Sequence, residues 1–350
     1  MVRTAEDVVA VLEEVRLEHA PDPRLAVFEV TVEERGDVLA LMGACSEPLA
    51  LTALRHRAAQ LTGWREVRDE VQLLPEAAAD EAVHGIVTSA LAPMLAGPSI
   101  REPQVSQAVL GARLTVLRRK NRFLQCRTAD GYIGWVHAGY VALRDEAAAR
   151  AWDAGSSGGE PWIALGAEVR TDDNEVLVRL PWGARVMRGG DGLVTLPDGR
   201  RGRPHGELIP AAARPLAFPP EGAALAETAA RWLGAPYLWG GVTMGGVDCS
   251  GFVQALYRLH GHVLPRDSDQ QSREGALVEP GDFTAFRPGD LLFFSEEPPR
   301  VTHVVLATGG SHIIHASLGN GGVARNDLAG RRAYERELRS LFVCARRHFG

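Results

Sequence analysis

One cysteine and three histidines have the residue types and the context for nucleophilic chemistry. Cys249 stands in Val247-Asp248-Cys249-Ser250-Gly251-Phe252, after a Gly-rich approach, Trp239-Gly240-Gly241. Phe252, Val253, Leu256 and Leu259 recur at helical spacing, which predicts Cys249 at or just before a helix N-terminus. Unpaired N–H groups and the positive dipole end there favour a thiolate. An isolated free cysteine is more often a small packed hydrophobe; the histidines argue otherwise here. A Cys nucleophile needs a base within hydrogen-bond reach, and that base needs a third group to orient it. His303 opens the apolar strand pattern Val304-Val305-Leu306, a place from which a sheet can aim an imidazole at a helix terminus. His312 and His315 compete for the third role. Three apart on one strand, they face opposite sides, and spacing alone does not choose between them. Asp248 is adjacent to Cys249, and its charge should raise the thiol pKa; a charged His303 and the helix dipole would have to outweigh it.

The elements that must position these residues follow from the last third of the chain. Residues 222–350 open with a helix to Leu233, followed by the Cys249 helix and a polar loop, Arg266 to Glu274. Strands are expected at Leu291–Ser295, His303–Thr308, Ser311–Ala316 and Leu341–Arg346. Helices first and an antiparallel meander after indicate α+β.

Three further units precede it. Residues 1–92 read as a small α-β-β-α-β unit. It has a helix from a Thr4 cap, a hairpin around Arg35-Gly36-Asp37, a second helix capped by Ser46 and running to about Leu61, and a strand from Glu66 to Leu74. Its pattern resembles a BON-type domain, a module that binds rather than catalyses. Ala92 to Pro98 reads as a linker. Residues 98–146 carry short strands and turns (Lys120-Asn121, Asp130-Gly131), which suggest a small β-barrel. Ala154 to Gly159 is a linker by composition. Residues 160–212 repeat the β pattern, and a Pro-rich connector, Pro210 to Pro220, leads onward.

Net charge −6 argues against a nucleic-acid binder and gives no reason to expect a membrane-surface partner. No apolar run approaches the roughly 18 residues of a membrane span. The first residues are acidic with no apolar core, so a signal peptide is not expected, and the four cysteines are too few for a disulfide scaffold. Reduced thiols in the cytoplasm are the expectation. No cofactor or metal is expected: the spacing of 54 residues from Cys249 to His303 matches no compact metal motif, and there is no CxxC pair.

Pro236-Tyr237-Leu238-Trp239-Gly240-Gly241, Asp248-Cys249-Ser250-Gly251-Phe252, Thr302-His303-Val304 and Ile314-His315-Ala316-Ser317 occur in the order seen in the NlpC-type cell-wall peptidases. The last third of the chain resembles that family, whose fold is papain-like. Asp130-Gly131-Tyr132-Ile133-Gly134-Trp135-Val136, with Arg101-Glu102-Pro103 and Gly111, resembles a bacterial SH3-like domain. Residues 160–212 are expected to be a second, more degenerate one.

The resemblance implies Cys249 as nucleophile, His303 as general base and acid, and His315 rather than His312 as the orienting residue. It implies a substrate, the γ-D-glutamyl to diamino-acid bond of peptidoglycan stem peptides. Oxyanion donors would be the Cys249 backbone N–H and the Tyr237 hydroxyl. Ser250, Asp267 and Ser268 match positions lining the substrate. Asp267 has the type to hold an ammonium group or to cap a helix, and Arg266 to clamp a carboxylate or stand in solvent. Two SH3-like barrels before the peptidase domain resemble the cytoplasmic recycling branch. There the first barrel requires a free N-terminal L-Ala, bound by an acidic residue and a tyrosine matching Glu102 and Tyr132. Two other readings compete: an exported hydrolase of intact wall, and a non-catalytic stem-peptide binder. The complete Cys249, His303 and His315 set weighs against the latter.

Overall fold

The computed structural model describes residues 5–76, 83–156, 159–279 and 282–349. The N-terminal unit runs α1 (Ala5–His19), β1 (Phe28–Arg35), β2 (Val38–Cys45), α2 (Pro48–Ala58) and β3 (Glu66–Leu73). β1 and β2 are antiparallel; β2 and β3 are parallel, joined through α2. Val8, Leu12 and Val15 of α1 pack with Leu51 and Leu54 of α2 against Leu39 and Leu41. Thr4 lies outside the described residues. Ser46 does not cap α2. Glu47 holds that position without a side-chain cap, and the Ser46 hydroxyl accepts the Val27 N–H at 2.8 Å instead. The helix stops at Ala58 rather than Leu61.

The first β unit begins earlier than expected. β4 (His84–Val87), β5 (Leu91–Leu95), β6 (Gln104–Val109), β7 (Arg113–Lys120), β8 (Phe123–Arg127), β9 (Ile133–His137) and β10 (Val141–Arg144) form one sheet in the order β10-β4-β7-β8-β9-β5-β6. The stretch taken as a linker at 92–98 is mostly β5. Ala92 and Met94 are fully buried, and their alternation with Pro93 and Leu95 was masked by small and Pro residues. α3 (Glu146–Ala154) follows, capped by the Asp145 carboxylate and ended by Gly155 at φ +77°. Both signals stand in the sequence.

β11 (Glu160–Arg170), β12 (Val176–Leu180), β13 (Arg185–Arg188), β14 (Val194–Thr195) and β15 (Arg201–Pro210) form a second sheet, which closes because β15 pairs back on β11. The bend that permits closure lies where Gly206 faces β11. A Cβ there would sit 2.7 Å from the Gly166 carbonyl oxygen, so only glycine fits.

The Pro-rich connector holds α4 (Arg214–Ala217), and α5 (Gly222–Ala230) opens the last domain. The hairpin β16 (Val242–Thr243) and β17 (Gly246–Val247) leads into α6 (Cys249–Leu259); α7 (Ser268–Gln271) lies in the polar loop. β18 (Ala276–Val278), β19 (Leu291–Phe294), β20 (His303–Gly309), β21 (His312–Ser317), β22 (Gly322–Asp327) and β23 (Phe342–Arg347) form a sheet in the order β18-β23-β19-β20-β21-β22. α8 (Ala333–Ser340) lies between the last two strands in sequence. Phe252, Val253 and Leu256 of α6 share one core with Leu291, Phe293, Val304, Leu306 and Ile314 of the sheet. Among the described residues no helix is long and apolar enough to cross a membrane.

Candidate active site

Asp248 sets the start of α6. Its backbone is extended, and its carboxylate accepts the Gly251 N–H at 2.6 Å and, through the other oxygen, the Gly240 N–H at 2.8 Å. Gly251 has to be glycine, since a Cβ there would meet the Gly241 carbonyl oxygen at 2.1 Å. Cys249 is therefore the first helical residue, held against the opening of β20. Backbone N–H groups of Ser250 and Val304 favour its thiolate form. Burial, and after it the Asp248 charge, outweigh them and push the thiol up to about 12.

The expectation that Asp248 opposes ionisation of Cys249 therefore stands, and the reason it is tolerated is visible. Arg266 is 1% exposed and grips Asp248 with both guanidinium ends, Nη2 to Oδ2 at 2.6 Å and Nη1 to Oδ1 at 3.1 Å. It also donates to the Ser250 hydroxyl at 2.9 Å and to the Ser106 hydroxyl of β6 at 3.0 Å. Arg266 is thus not a solvated loop charge. It is a buried partner that neutralises Asp248 and ties α6 to the first barrel.

His303 and His315 come from adjacent strands, with Nε2 of the first 2.7 Å from Nδ1 of the second. His315 is fully buried while His312 is exposed on the opposite face, so only His315 can serve His303. The chain continues to a residue that sequence reasoning missed. His315 Nε2 lies 3.0 Å from Asn326 Oδ1 on β22, and Asn320 Nδ2 donates to the same oxygen at 2.8 Å. With the Asn326 oxygen turned to it, His315 holds its proton on Nε2 and accepts at Nδ1, while the Asn320 amide nitrogen, 3.2 Å from the same Nε2, gives its hydrogen to the Asn326 oxygen. His303 then donates from Nε2, leaving Nδ1 unprotonated as the available base. Burial and the neighbouring His315 hold His303 well below the ordinary histidine range, and burial brings His315 down to about 4. The directions of these shifts leave the Cys249 thiol and both imidazoles neutral at neutral pH.

Tyr237 is half-buried, and burial followed by the nearby thiol and Asp248 keeps its hydroxyl protonated well past its ordinary range. It is thus a standing donor next to the sulfur. Ser250 is buried and accepts from Arg266. Ser268 opens α7 and Asp267 occupies its N-cap position. The Asp267 carboxylate also accepts from the Tyr132 hydroxyl at 3.2 Å and from Arg24 of the N-terminal unit at 2.8 Å. Tyr132 is therefore brought to the loop expected to line the substrate. Glu102 is not joined to this group by any hydrogen bond among the described residues; it is exposed at a turn, with its carboxyl against Gly97. Two residues on, Gln104 donates to the Trp239 carbonyl at 2.9 Å, so that edge of the barrel borders the approach to Cys249.

Residues 234–341 match the NlpC/P60 family and residues 91–142 the bacterial SH3 domain. The chain is 41% identical over 92 residues to the gamma-D-glutamyl-L-lysine dipeptidyl-peptidase of Bacillus subtilis (strain 168), 26% of this chain and 30% of that protein. To the protein of the same name from Bacillus cereus (strain ATCC 10987 / NRS 248) it is 26% identical over 232 residues, 60% of this chain and 66% of the relative. The chain thus spans less than two thirds of these relatives' length. The crystal structure of an NlpC/P60 family protein from Bacillus cereus ATCC 10987 superposes with a TM-score of 0.63 at 20% identity, over 76% of this chain and 100% of that one. At that identity the likeness is one of fold.

Proposed function

Through residues 234–341 the chain belongs to the NlpC/P60 family of cysteine peptidases, and from that premise we propose that it cleaves the γ-D-glutamyl to diamino-acid bond of peptidoglycan stem peptides. The hydrogen-bonded series His303–His315–Asn326, facing a helix that begins with Cys249, carries this reading. The thiol passes its proton to His303 Nδ1 as sulfur attacks the isopeptide carbonyl carbon. The oxyanion is met by the Cys249 backbone N–H and the Tyr237 hydroxyl. His303 returns the proton to the departing amine, leaving a thioester between Cys249 and the D-glutamyl group. Water, deprotonated by His303, releases it. The diamino acid is L-Lys or meso-diaminopimelate; the names of the Bacillus relatives support the former.

Recognition of a free N-terminal L-Ala is the finer part of the proposal. Asp267 and Tyr132 form one side of an ammonium pocket roofed by the first barrel, and the part expected of Glu102 in it is a proposal that no contact of that residue supports. We read the second closed sheet as a diverged SH3-like barrel and the catalytic domain as papain-like. A peptide whose amine is amide-linked in intact wall would not fit such a pocket, and on this reading the enzyme acts on released peptides, in recycling in the cytoplasm.

The test is incubation with L-Ala-γ-D-Glu-meso-diaminopimelate, its L-Lys counterpart and the N-acetylated forms, followed by mass spectrometry, with Cys249→Ala alongside. Release of L-Ala-D-Glu from the free peptides only, lost in the variant, is expected. Cleavage of acetylated and free peptides alike would move the assignment to hydrolysis of intact wall. Binding without cleavage would make the protein a stem-peptide binder.

A further inference from the structure

We infer that the N-terminal α/β unit is part of the substrate-recognition apparatus, and that Arg24 is the positioning residue through which it acts. The inference rests on the ammonium-pocket reading of Asp267. The turn between α1 and β1 reaches across the first barrel to the loop that carries α7. Arg24 Nη1 donates to Asp267 Oδ2 at 2.8 Å and to Asp269 Oδ1 at 2.7 Å, and its Nη2 donates to Asp269 Oδ2 at 2.8 Å. The adjacent Asp22 carboxylate orients the same guanidinium at 2.7 Å and accepts from Gln270 Nε2 at 2.8 Å. The Arg24 carbonyl accepts the N–H of Ile133, the residue after Tyr132, at 2.7 Å. One arginine therefore fixes both halves of the pocket: the carboxylate on the catalytic domain and the strand that holds the tyrosine.

The docking beneath is built to hold this arginine in place. Val27, Ala44 and Leu74 of the N-terminal unit bury against Leu117 and Ile133 of the barrel. Arg127 donates to the Leu25 carbonyl at 3.1 Å and to Glu47, and Arg118 forms a forked pair with Glu29.

The electrostatics give the arginine a role beyond fastening. Three carboxylates, Asp22, Asp267 and Asp269, share one guanidinium; the exposed Arg273 lies near Asp269, and Arg266, whose charge also reaches Asp267, is paired with Asp248. The cluster keeps a negative excess suited to an ammonium group. Asp267 is itself pulled toward protonation by burial, and Arg266 and Arg24 oppose this. The carboxylate must be ionised to bind the amine, so recognition is lost as pH falls through its pKa. Burial holds that point above the ordinary carboxylate value, and Arg24 limits the rise.

The experiment uses the full chain with Arg24→Gln, Arg24→Lys and, as a docking control, Glu29→Gln. Steady-state cleavage of L-Ala-γ-D-Glu-L-Lys is followed from pH 4.5 to 8, and amide exchange of residues 267–272 is read by mass spectrometry. An opposite charge this close lowers a carboxylate pKa by about 1–3 units, less where solvent reaches it. Arg24→Gln should thus move the acidic limb of kcat/KM up by about one pH unit. KM should rise several-fold with kcat unchanged, and exchange of 267–272 should quicken. Arg24→Lys keeps the charge without the fork and should restore most of the limb. Glu29→Gln should leave the limb in place. An Arg24→Gln protein with wild-type KM, limb and exchange overturns the inference. Should the wild type cleave no stem peptide, the functional reading fails, and unchanged exchange at 267–272 in Arg24→Gln would then refute the positioning role by itself.

Discussion

Replacing Asn326 with Leu removes the group that sets the tautomer of both histidines. His315 is fully buried, so its Nε2–H cannot turn to water in place of the Asn326 oxygen. A buried donor left unsatisfied costs about 1–3 kcal/mol, which is also the preference lost between the two His315 tautomers. With the proton on Nδ1, His315 donates to His303 Nε2. His303 must then hold its own proton on Nδ1, where on the proposed mechanism it cannot act as a base. At about 1.4 kcal/mol per tenfold, kcat/KM should fall by about 10- to 100-fold. The loss should lie in kcat, because neither side chain is placed to touch substrate. Asn320 lies 3.2 Å from the same Nε2 and could turn its amide oxygen inward, so the variant is also made with Asn320→Ala. Asn326→Asp separates tautomer from packing. The carboxylate still accepts from Nε2, but its charge raises the His315 pKa from about 4. A protonated His315 donates at Nδ1 and disables His303. Activity requires His315 neutral and is lost as pH falls through its pKa, so the acidic limb of kcat in Asn326→Asp should move to higher pH. The assay is stem-peptide cleavage between pH 4.5 and 9. Wild-type kcat in the Asn326→Leu, Asn320→Ala protein, or an unmoved limb in Asn326→Asp, refutes the reasoning.

Two further outcomes follow from the same geometry. Arg266→Ala leaves Asp248 buried without its partner and should cost about 3–5 kcal/mol, read as a lower urea midpoint, whereas Asp248→Asn combined with Arg266→Met should recover much of that loss. Tyr237→Phe should lower kcat by roughly 100-fold if the hydroxyl meets the oxyanion, with KM little changed; an equal effect on KM would make it a binding group instead.

Much of the nucleophile's placement is legible in a few consecutive residues. Asp248, Cys249 and Gly251 are a cap, a first helical residue and an obligatory glycine, and all three follow from hydrogen bonds and contacts within a short stretch. That His312 and His315 take opposite faces follows from the two-residue period of a strand; which of them faces inward is decided by the packed sheet. The missed α3 was legible as well, since Asp145 and Gly155 bracket it. The first barrel's true start was not: β4 and β5 are short, contain small residues and proline, and become strands only because β7, β10, β6 and β9 pair with them. Asn326 could not be found from composition, because an asparagine near the end of an edge strand reads as solvent-facing until β22 is laid beside β21. Arg266 and Arg24 carry the same lesson. One bonds a serine 160 residues away, the other an aspartate 243 residues away. Capping, periodicity and turn chemistry act over a few residues and are written along the chain. Whether a charge ends in solvent, in a buried ion pair or across a domain boundary depends on which distant surface closes over it, and only the tertiary structure decides that.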